Sequence, residues 1–241
     1  MKQLLQAPGF RLPTIIMILI TGASRGIGKY LYKYFATKGD EVYGTYNSTT
    51  PENIKGLTKV DISRYNEVES WIQSIPNLNE IKLINCAAIA DSSFAHKCKI
   101  EEWHKVIDIN VKGTFNTIRA LLPIMRGQGY GRIINFSSVI AQKGTPGVSA
   151  YAASKSALWG MAKSLATENA SKGISVNNIN LGYVNLGMGL EQVPEQMQET
   201  LKKQIPLGRF CEPEEMVATI EYLIKTPYIN GSSVDLNGGL I

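Results

Sequence analysis

Ile15-Ile16-Met17-Ile18-Leu19-Ile20 runs directly into Thr21-Gly22-Ala23-Ser24-Arg25-Gly26-Ile27-Gly28, and this junction decides the fold. A short, continuous apolar run that ends in a glycine-rich turn reads as a buried strand feeding a helix. The glycines let the chain turn tightly and bring its backbone close to a ligand. The helix beyond them presents its first N–H groups and its positive dipole end to the turn, which suits a dinucleotide pyrophosphate. Lys2, Arg11 and the apolar run faintly imitate a secretory leader, but the run is short, Pro13 precedes it and it enters a glycine turn. The strand reading stands, with residues 1–13 as an N-terminal extension ahead of one domain spanning 14–241.

Working outward, short apolar runs alternate with longer amphipathic ones. Strands are expected at 15–20, 41–46, 56–60, 81–85, 131–137, 175–181 and 233–236, and helices at 26–38, 65–74, 101–127, 150–172 and 213–224. Strand–helix alternation with near-continuous apolar strands implies an α/β fold, a three-layer, doubly wound Rossmann-type parallel sheet in a single domain. The connection between the second and third strands leaves room for at most one helical turn. Residues 186–204, with Leu186, Met188, Leu190, Met197 and Leu201, read as a mobile substrate lid.

Bulk properties exclude several classes. The 241 residues carry a net charge of +5, with no basic block or stripe, so nucleic acid is not an expected partner. No stretch approaches the ~20 apolar residues of a membrane span. Cys86, Cys98 and Cys211 are scattered, the two histidines are His96 and His104, and no metal-ligand spacing occurs, so no metal is expected. Free thiols without a disulfide framework fit the cytoplasm. His96 and His104 read as surface residues, and Trp71, Trp103 and Trp159 as packing residues.

The second informative stretch is Tyr151-Ala152-Ala153-Ser154-Lys155. Tyr151 and Lys155 stand at i and i+4, so a helix puts both on one face. A tyrosine ordinarily titrates near ~10, and a neighbouring ammonium lowers that value toward useful acid–base chemistry.

The spacing Thr21-Gly22-x-x-x-Gly26-x-Gly28 resembles that of the short-chain dehydrogenase/reductase family. The resemblance continues in register through Asn85-Cys86-Ala87-Ala88, Asn110 in Ile109-Asn110-Val111-Lys112-Gly113, Ser137-Ser138, Tyr151-x-x-x-Lys155, Leu181-Gly182-Tyr183-Val184 and the tail Val234-Asp235-Leu236-Asn237-Gly238-Gly239. It implies a catalytic group of Asn110, Ser138, Tyr151 and Lys155. Tyr151 would exchange a proton with the substrate oxygen. Lys155 would also hold the nicotinamide ribose, and Asn110 would anchor a water that relays protons to Lys155. It further implies cofactor contacts at Gly22, Ser24, Arg25, Gly26, Ile27 and Gly28. Asp61 and Ile62 would flank the adenine, Asn85 and Ala87 would line the ribose side, and Gly182 and Val184 would bracket the nicotinamide. Three positions depart from the pattern: Ala88 stands for a glycine, Leu181 for a proline and Leu186 for a threonine.

The cofactor expected is NADP(H). An NAD-binding site of this type puts a carboxylate after the second strand. Here that strand ends Gly44-Thr45-Tyr46-Asn47-Ser48, without one. Asn47 and Ser48 are donors for a 2′-phosphate, and Arg25 adds charge. By resemblance, an arginine at this place accompanies NADP preference.

The overall pattern is most similar to the 3-oxoacyl-acyl-carrier-protein reductases of the family, notably in Gly131-Arg132-Ile133-Ile134-Asn135 and Ile205-Pro206-Leu207-Gly208-Arg209-Phe210. The expected substrate is a small-molecule carbonyl, free or bound to acyl carrier protein. A sugar or polyol ketone is the alternative, since Gly129 and Tyr130 stand where those reductases often carry a basic docking residue. A non-catalytic NADP(H)-binding protein is the second alternative. Relatives pair through their two long helices, so a homodimer or homotetramer is expected, with Ile118, Leu121, Leu122, Leu158, Met161 and Leu165 facing either the partner or the chain's own sheet.

Overall fold

Seven parallel strands form one sheet in the order β3-β2-β1-β4-β5-β6-β7. The computed structural model describes residues 16–51, 56–187 and 194–241. The strands are β1 Met17–Thr21, β2 Glu41–Tyr46, β3 Leu57–Lys59, β4 Lys82–Asn85, β5 Gly131–Ser138, β6 Ile174–Leu181 and β7 Ser233–Leu236. The helices are α1 Gly26–Thr37, α2 Tyr65–Ser74, α3 Ile100–Ile107, α4 Thr114–Gln128, α5 Ser149–Asn169, α6 Glu195–Gln204 and α7 Pro213–Lys225. Strand order reverses between β1 and β4, which opens a crevice at the strands' C-terminal ends.

Both faces of the sheet are covered. On one, Leu19, Leu83, Ile133 and Val176 pack against Val68 and Trp71 of α2, Ile118, Leu121 and Met125 of α4, and Ala162 and Leu165 of α5. On the other, Ile18, Ile20, Ile84, Ile134 and Ile179 meet Leu31 and Phe35 of α1 and Met216, Val217 and Ile220 of α7. This double burial is why the strands read as continuous apolar runs. It also settles where Ile118, Leu121, Leu158 and Leu165 point: all four are buried in the chain's own core.

Three features go beyond the expected elements. Residues 101–127 are not one helix: a π-helical segment, Asp108–Gly113, separates α3 from α4. Such a segment adds a residue to a turn and occurs often at functional sites. Second, part of the expected lid is the regular helix α6, on which Met197 is exposed and Leu201 half-buried. Met188 and Leu190 lie outside the described residues. Third, Trp159 is a hydrogen-bond donor as well as a packing residue. The link from β2 to β3 shows no helical turn among its described residues, and residues 52–55 lie outside them.

Close backbone packing fixes the turn after β1. Ala23 N donates to Thr45 O at 2.7 Å, and Ala87 N to Thr21 Oγ1 at 3.1 Å. A Cβ on Gly28 would lie 2.2 Å from the Gly22 carbonyl oxygen, and one on Gly22 would lie 2.7 Å from Ala87 Cα. Gly28→Ala is therefore expected to cost about 1–3 kcal/mol. Gly127→Ala, in α4 with nothing within 4 Å of the new methyl, should stabilise by about 0.5–1 kcal/mol. Urea unfolding of the two variants measures both signs, and a harmless Gly28→Ala would contradict the packing account.

Candidate active site

The phosphate turn, the end of β5 and the start of α5 meet at the C-terminal edge of the sheet. Arg25 precedes α1 in extended backbone, φ −147°, and neither a capping side chain nor an acidic residue occupies that helix's first turn. The first N–H groups of α1 are thus left without a side-chain acceptor, which fits an anionic group such as a pyrophosphate. Ser24 is buried and Arg25 exposed beside it. Gly26 has φ +51°, a conformation open chiefly to glycine. Asn47 and Ser48 are exposed just past β2, and the described residues 47–51 that follow that strand include no carboxylate.

Asp61 and Ile62 follow β3. The Asp61 carboxylate accepts from Ser63 N at 3.0 Å and Ser63 Oγ at 2.7 Å. Its own N–H donates to Glu67 Oε2 at 2.8 Å. Asn85 turns its side chain into the sheet, donating to Asn135 Oδ1 at 2.9 Å and accepting from Thr117 Oγ1 at 2.8 Å. What Asn85 has to offer a cofactor is therefore its main chain. Gly182 N donates to Leu236 O at 2.9 Å, and a Cβ on Gly182 would sit 2.9 Å from Asn237 Cα. Val184 bridges to Cys211. This pairing holds the segment after β6 across the crevice from the glycine turn, and Gly187 approaches Gly26 so closely that a Cβ on it would lie 3.1 Å from Gly26 Cα.

At the candidate centre, Ser138 ends β5 close enough to the Tyr151 phenol for its hydroxyl to lower that group's pKa. The same oxygen accepts from Ile140 N at 3.2 Å, which fixes the serine at the head of a short 3-10 turn, Val139–Ala141. Lys155 is buried at 5 % exposure. Its Nζ donates to Phe136 O at 2.7 Å and lies 5.5 Å from the centre of the Tyr151 ring. The small residues Ala150 and Ser154 lie on the buried face of α5 near this point.

Charge behaviour differs in one respect from the sequence expectation. Burial raises the Tyr151 pKa above the usual phenol value, and the neighbouring Ser138 hydroxyl only partly offsets it. Burial also lowers Lys155 to about 8, opposed weakly by Cys86. For both groups desolvation is the dominant cause. A phenol held protonated suits a proton donor.

Asn110 lies in the π-helical segment. Its side chain clasps the backbone of Ile89, accepting from Ile89 N at 2.9 Å and donating to Ile89 O at 2.8 Å. Its Nδ2 also donates to Ser154 Oγ at 3.0 Å, and Ser154 Oγ donates to Tyr151 O at 2.7 Å. Asn110 thus connects to α5 through Ser154, a residue the sequence reading passed over although it lies inside the Tyr-x-x-x-Lys stretch. The carbonyl of Phe136, two residues before Ser138, was also missed, because main-chain acceptors leave no mark in side-chain patterns. His96 and His104 are exposed, and among the described residues no group of three or more His, Cys, Asp or Glu side chains is placed to hold a metal ion.

Comparison with known proteins bears on the family and the fold. A family model described as short chain dehydrogenase matches residues 16–197. The 3-oxoacyl-[acyl-carrier-protein] reductase of Thermotoga maritima is 35% identical over 240 residues, covering 92% of this chain and 96% of its own. The acetoacetyl-CoA reductase of Rhizobium meliloti is 36% identical over 233 residues, with the same coverage of 92% and 96%. Among solved structures, a 3-oxoacyl-[acyl-carrier protein] reductase from Brucella melitensis superposes with a TM-score of 0.84 at 28% identity, over 93% of this chain and 90% of that one. The aldohexose dehydrogenase of Thermoplasma acidophilum gives 0.85 at 26% identity, over 93% of both chains. With its parallel sheet, its glycine turn and Ser138, Tyr151 and Lys155 gathered at one edge, the chain belongs to the short-chain dehydrogenase family of oxidoreductases.

Proposed function

We propose that this protein is an NADP(H)-dependent carbonyl reductase acting on a 3-oxoacyl thioester or a small ketone, with Tyr151 as general acid. The observation that carries the reading is the buried Lys155 ammonium, bonded to Phe136 O and 5.5 Å from the centre of the Tyr151 ring, beside Ser138 at the end of β5. Bound reduced nicotinamide supplies the hydride. The residues of the chain do the rest. Gly22, Ser24, Gly26, Ile27 and Gly28 hold the pyrophosphate over the α1 N-terminus, and Arg25, Asn47 and Ser48 take the 2′-phosphate. Asp61 and Ile62 flank the adenine. Asn85 and Ala87 line the ribose, and Gly182 and Val184 bracket the nicotinamide. Ser138 donates a hydrogen bond to the substrate oxygen as negative charge gathers there. Tyr151 gives that oxygen its phenolic proton. Lys155 holds the ribose and, as a cation, stabilises the phenolate left behind. Asn110 anchors the water through which that phenolate is reprotonated.

Two named relatives act on acyl-carrier-protein or coenzyme A thioesters, which favours the thioester. The aldohexose dehydrogenase among the structural neighbours keeps a sugar or polyol substrate as the second reading. Among the described residues no helix is long and apolar enough to cross a membrane, and the scattered thiols fit a cytoplasmic enzyme. A homodimer or homotetramer is part of the proposal: with four of the expected interface residues buried in the core, Ile100 and Phe115 remain as exposed apolar side chains on α3 and α4.

Turnover of NADPH against acetoacetyl thioesters and sugar ketones tests the reading. Tyr151→Phe should lower kcat about 10²–10⁴-fold, the usual worth of a positioned general acid, while NADPH still binds. Retention of most activity would overturn the assignment. NADPH should give a higher kcat/KM than NADH, and Arg25→Ala should narrow that preference by about tenfold, as expected for one lost charge-assisted contact to phosphate. A higher kcat/KM with NADH would defeat the cofactor assignment.

A further inference from the structure

Beneath the reacting centre a row of polar side chains crosses the sheet where apolar ones would be expected. Ser137, Asn180 and Asp235 are lateral neighbours on β5, β6 and β7. Ser137 is 3 % exposed and Asn180 1 %. Over them lies Trp159 of α5, one turn beyond Lys155. Its indole N–H is shared between Ser137 Oγ at 2.9 Å and Asn180 Oδ1 at 3.0 Å. The Ser137 hydroxyl in turn donates to the carbonyl oxygen of Lys155 at 2.9 Å. Asn180 Nδ2 donates to Asp235 Oδ1 at 2.8 Å, and Gln142 Nε2 donates to the same oxygen at 3.2 Å. Gln142 ends the short turn that Ser138 begins.

The chain of bonds therefore has one end on the main chain of Lys155 and the other just past Ser138. The Ser137–Trp159–Asn180 part of the row is packed between α5 and the sheet, whereas its Gln142–Asp235 end is exposed. The indole has one N–H and the serine hydroxyl one proton to place. A buried amide or hydroxyl left unpaired is costly, so the row resists sliding of α5 along β5. An indole serving only as bulk would need none of these partners.

We propose that Trp159, acting through Ser137 and Asn180, is a positioning residue that sets the register of Tyr151 and Lys155 against Ser138. The inference rests on the reductase reading above and adds residues to it. Trp159→Phe keeps an aromatic ring in place and removes the donor. It should lower kcat for carbonyl reduction about tenfold while the KM for NADPH changes less than twofold, because small misplacements of reacting groups act on the chemical step. Ser137→Ala should do the same. The double variant should be no slower than the slower single variant, because both break one network.

Steady-state kinetics of the full-length protein, with thermal melting alongside, decides the matter. A lowered melting temperature with wild-type kcat in Trp159→Phe would overturn the proposal, as would losses that multiply in the double variant. If Trp159→Phe does not fold, Ser137→Ala alone gives the same kcat-against-KM reading, and an unchanged kcat there overturns it equally. An inactive wild-type protein would instead defeat the reductase reading and the inference with it.

Discussion

The bond from Lys155 Nζ to the carbonyl oxygen of Phe136, 2.7 Å long and buried between α5 and β5, is the contact on which the site depends. An ammonium taken out of water needs acceptors that a protein interior rarely has to spare. Here one acceptor is a main-chain carbonyl near the end of β5, so satisfying the lysine also docks α5 at that strand end. Ser138 then follows two residues along β5, and Tyr151 sits one turn back on α5. The cost shows in the lysine's titration, which burial brings down to about 8. The sign follows from linkage: below that pH the folded protein bears the cost of a charged, desolvated Lys155. As pH rises from about 8 toward the ordinary lysine value, the unfolded chain holds the extra proton and this group's cost to stability is relieved.

The sheet beneath is built to keep that strand end in place. Thr21, Asn85, Asn135, Asn178 and Ser233 are neighbours in register across β1, β4, β5, β6 and β7. Asn85 donates to Asn135 and Asn135 to Asn178, at 2.9 and 3.1 Å. Asn178 then donates to Leu158 O of α5 and to Ser233 Oγ, at 3.1 and 3.0 Å. A one-residue slip of any strand would unpair these amides in a dry interior, so the row specifies register more sharply than apolar packing does. Satisfied amides also fix where the helices above them lie. Thr117 ties α4 to the row, and Leu158 ties α5 to it. The π-helical segment between α3 and α4 turns Asn110 onto Ile89 and Ser154, clamping the start of α5 from the opposite side.

Much of this was legible in the chain because it rests on local necessity. The glycine turn shows itself because only glycine meets its close approaches, as Gly22 and Gly28 do. The parallel sheet shows itself because strands buried on both faces must be apolar. Tyr151 and Lys155 are visible by their spacing. The π-helical segment was not, since the apolar pattern of 101–127 runs on unbroken while the extra residue is absorbed in backbone hydrogen bonds. Helix α6 was missed because none of its residues is buried, which leaves no apolar stripe to read. Trp159 was taken for bulk because an indole's size dominates its pattern. The signal that could have exposed it was Asn178 and Asn180, two amides in a strand that should have been continuously apolar.

The most direct test of this account is the titration of Lys155 itself. Lysine labelled at Cε and Nζ would be followed by NMR in the ligand-free protein, with its signal assigned by its absence in Lys155→Met. The account predicts a midpoint at about 8, well below the ~10.4 of a solvated lysine. A midpoint above 10 would mean an ammonium in water, free of Phe136, and would contradict the arrangement from which the rest of the site was derived.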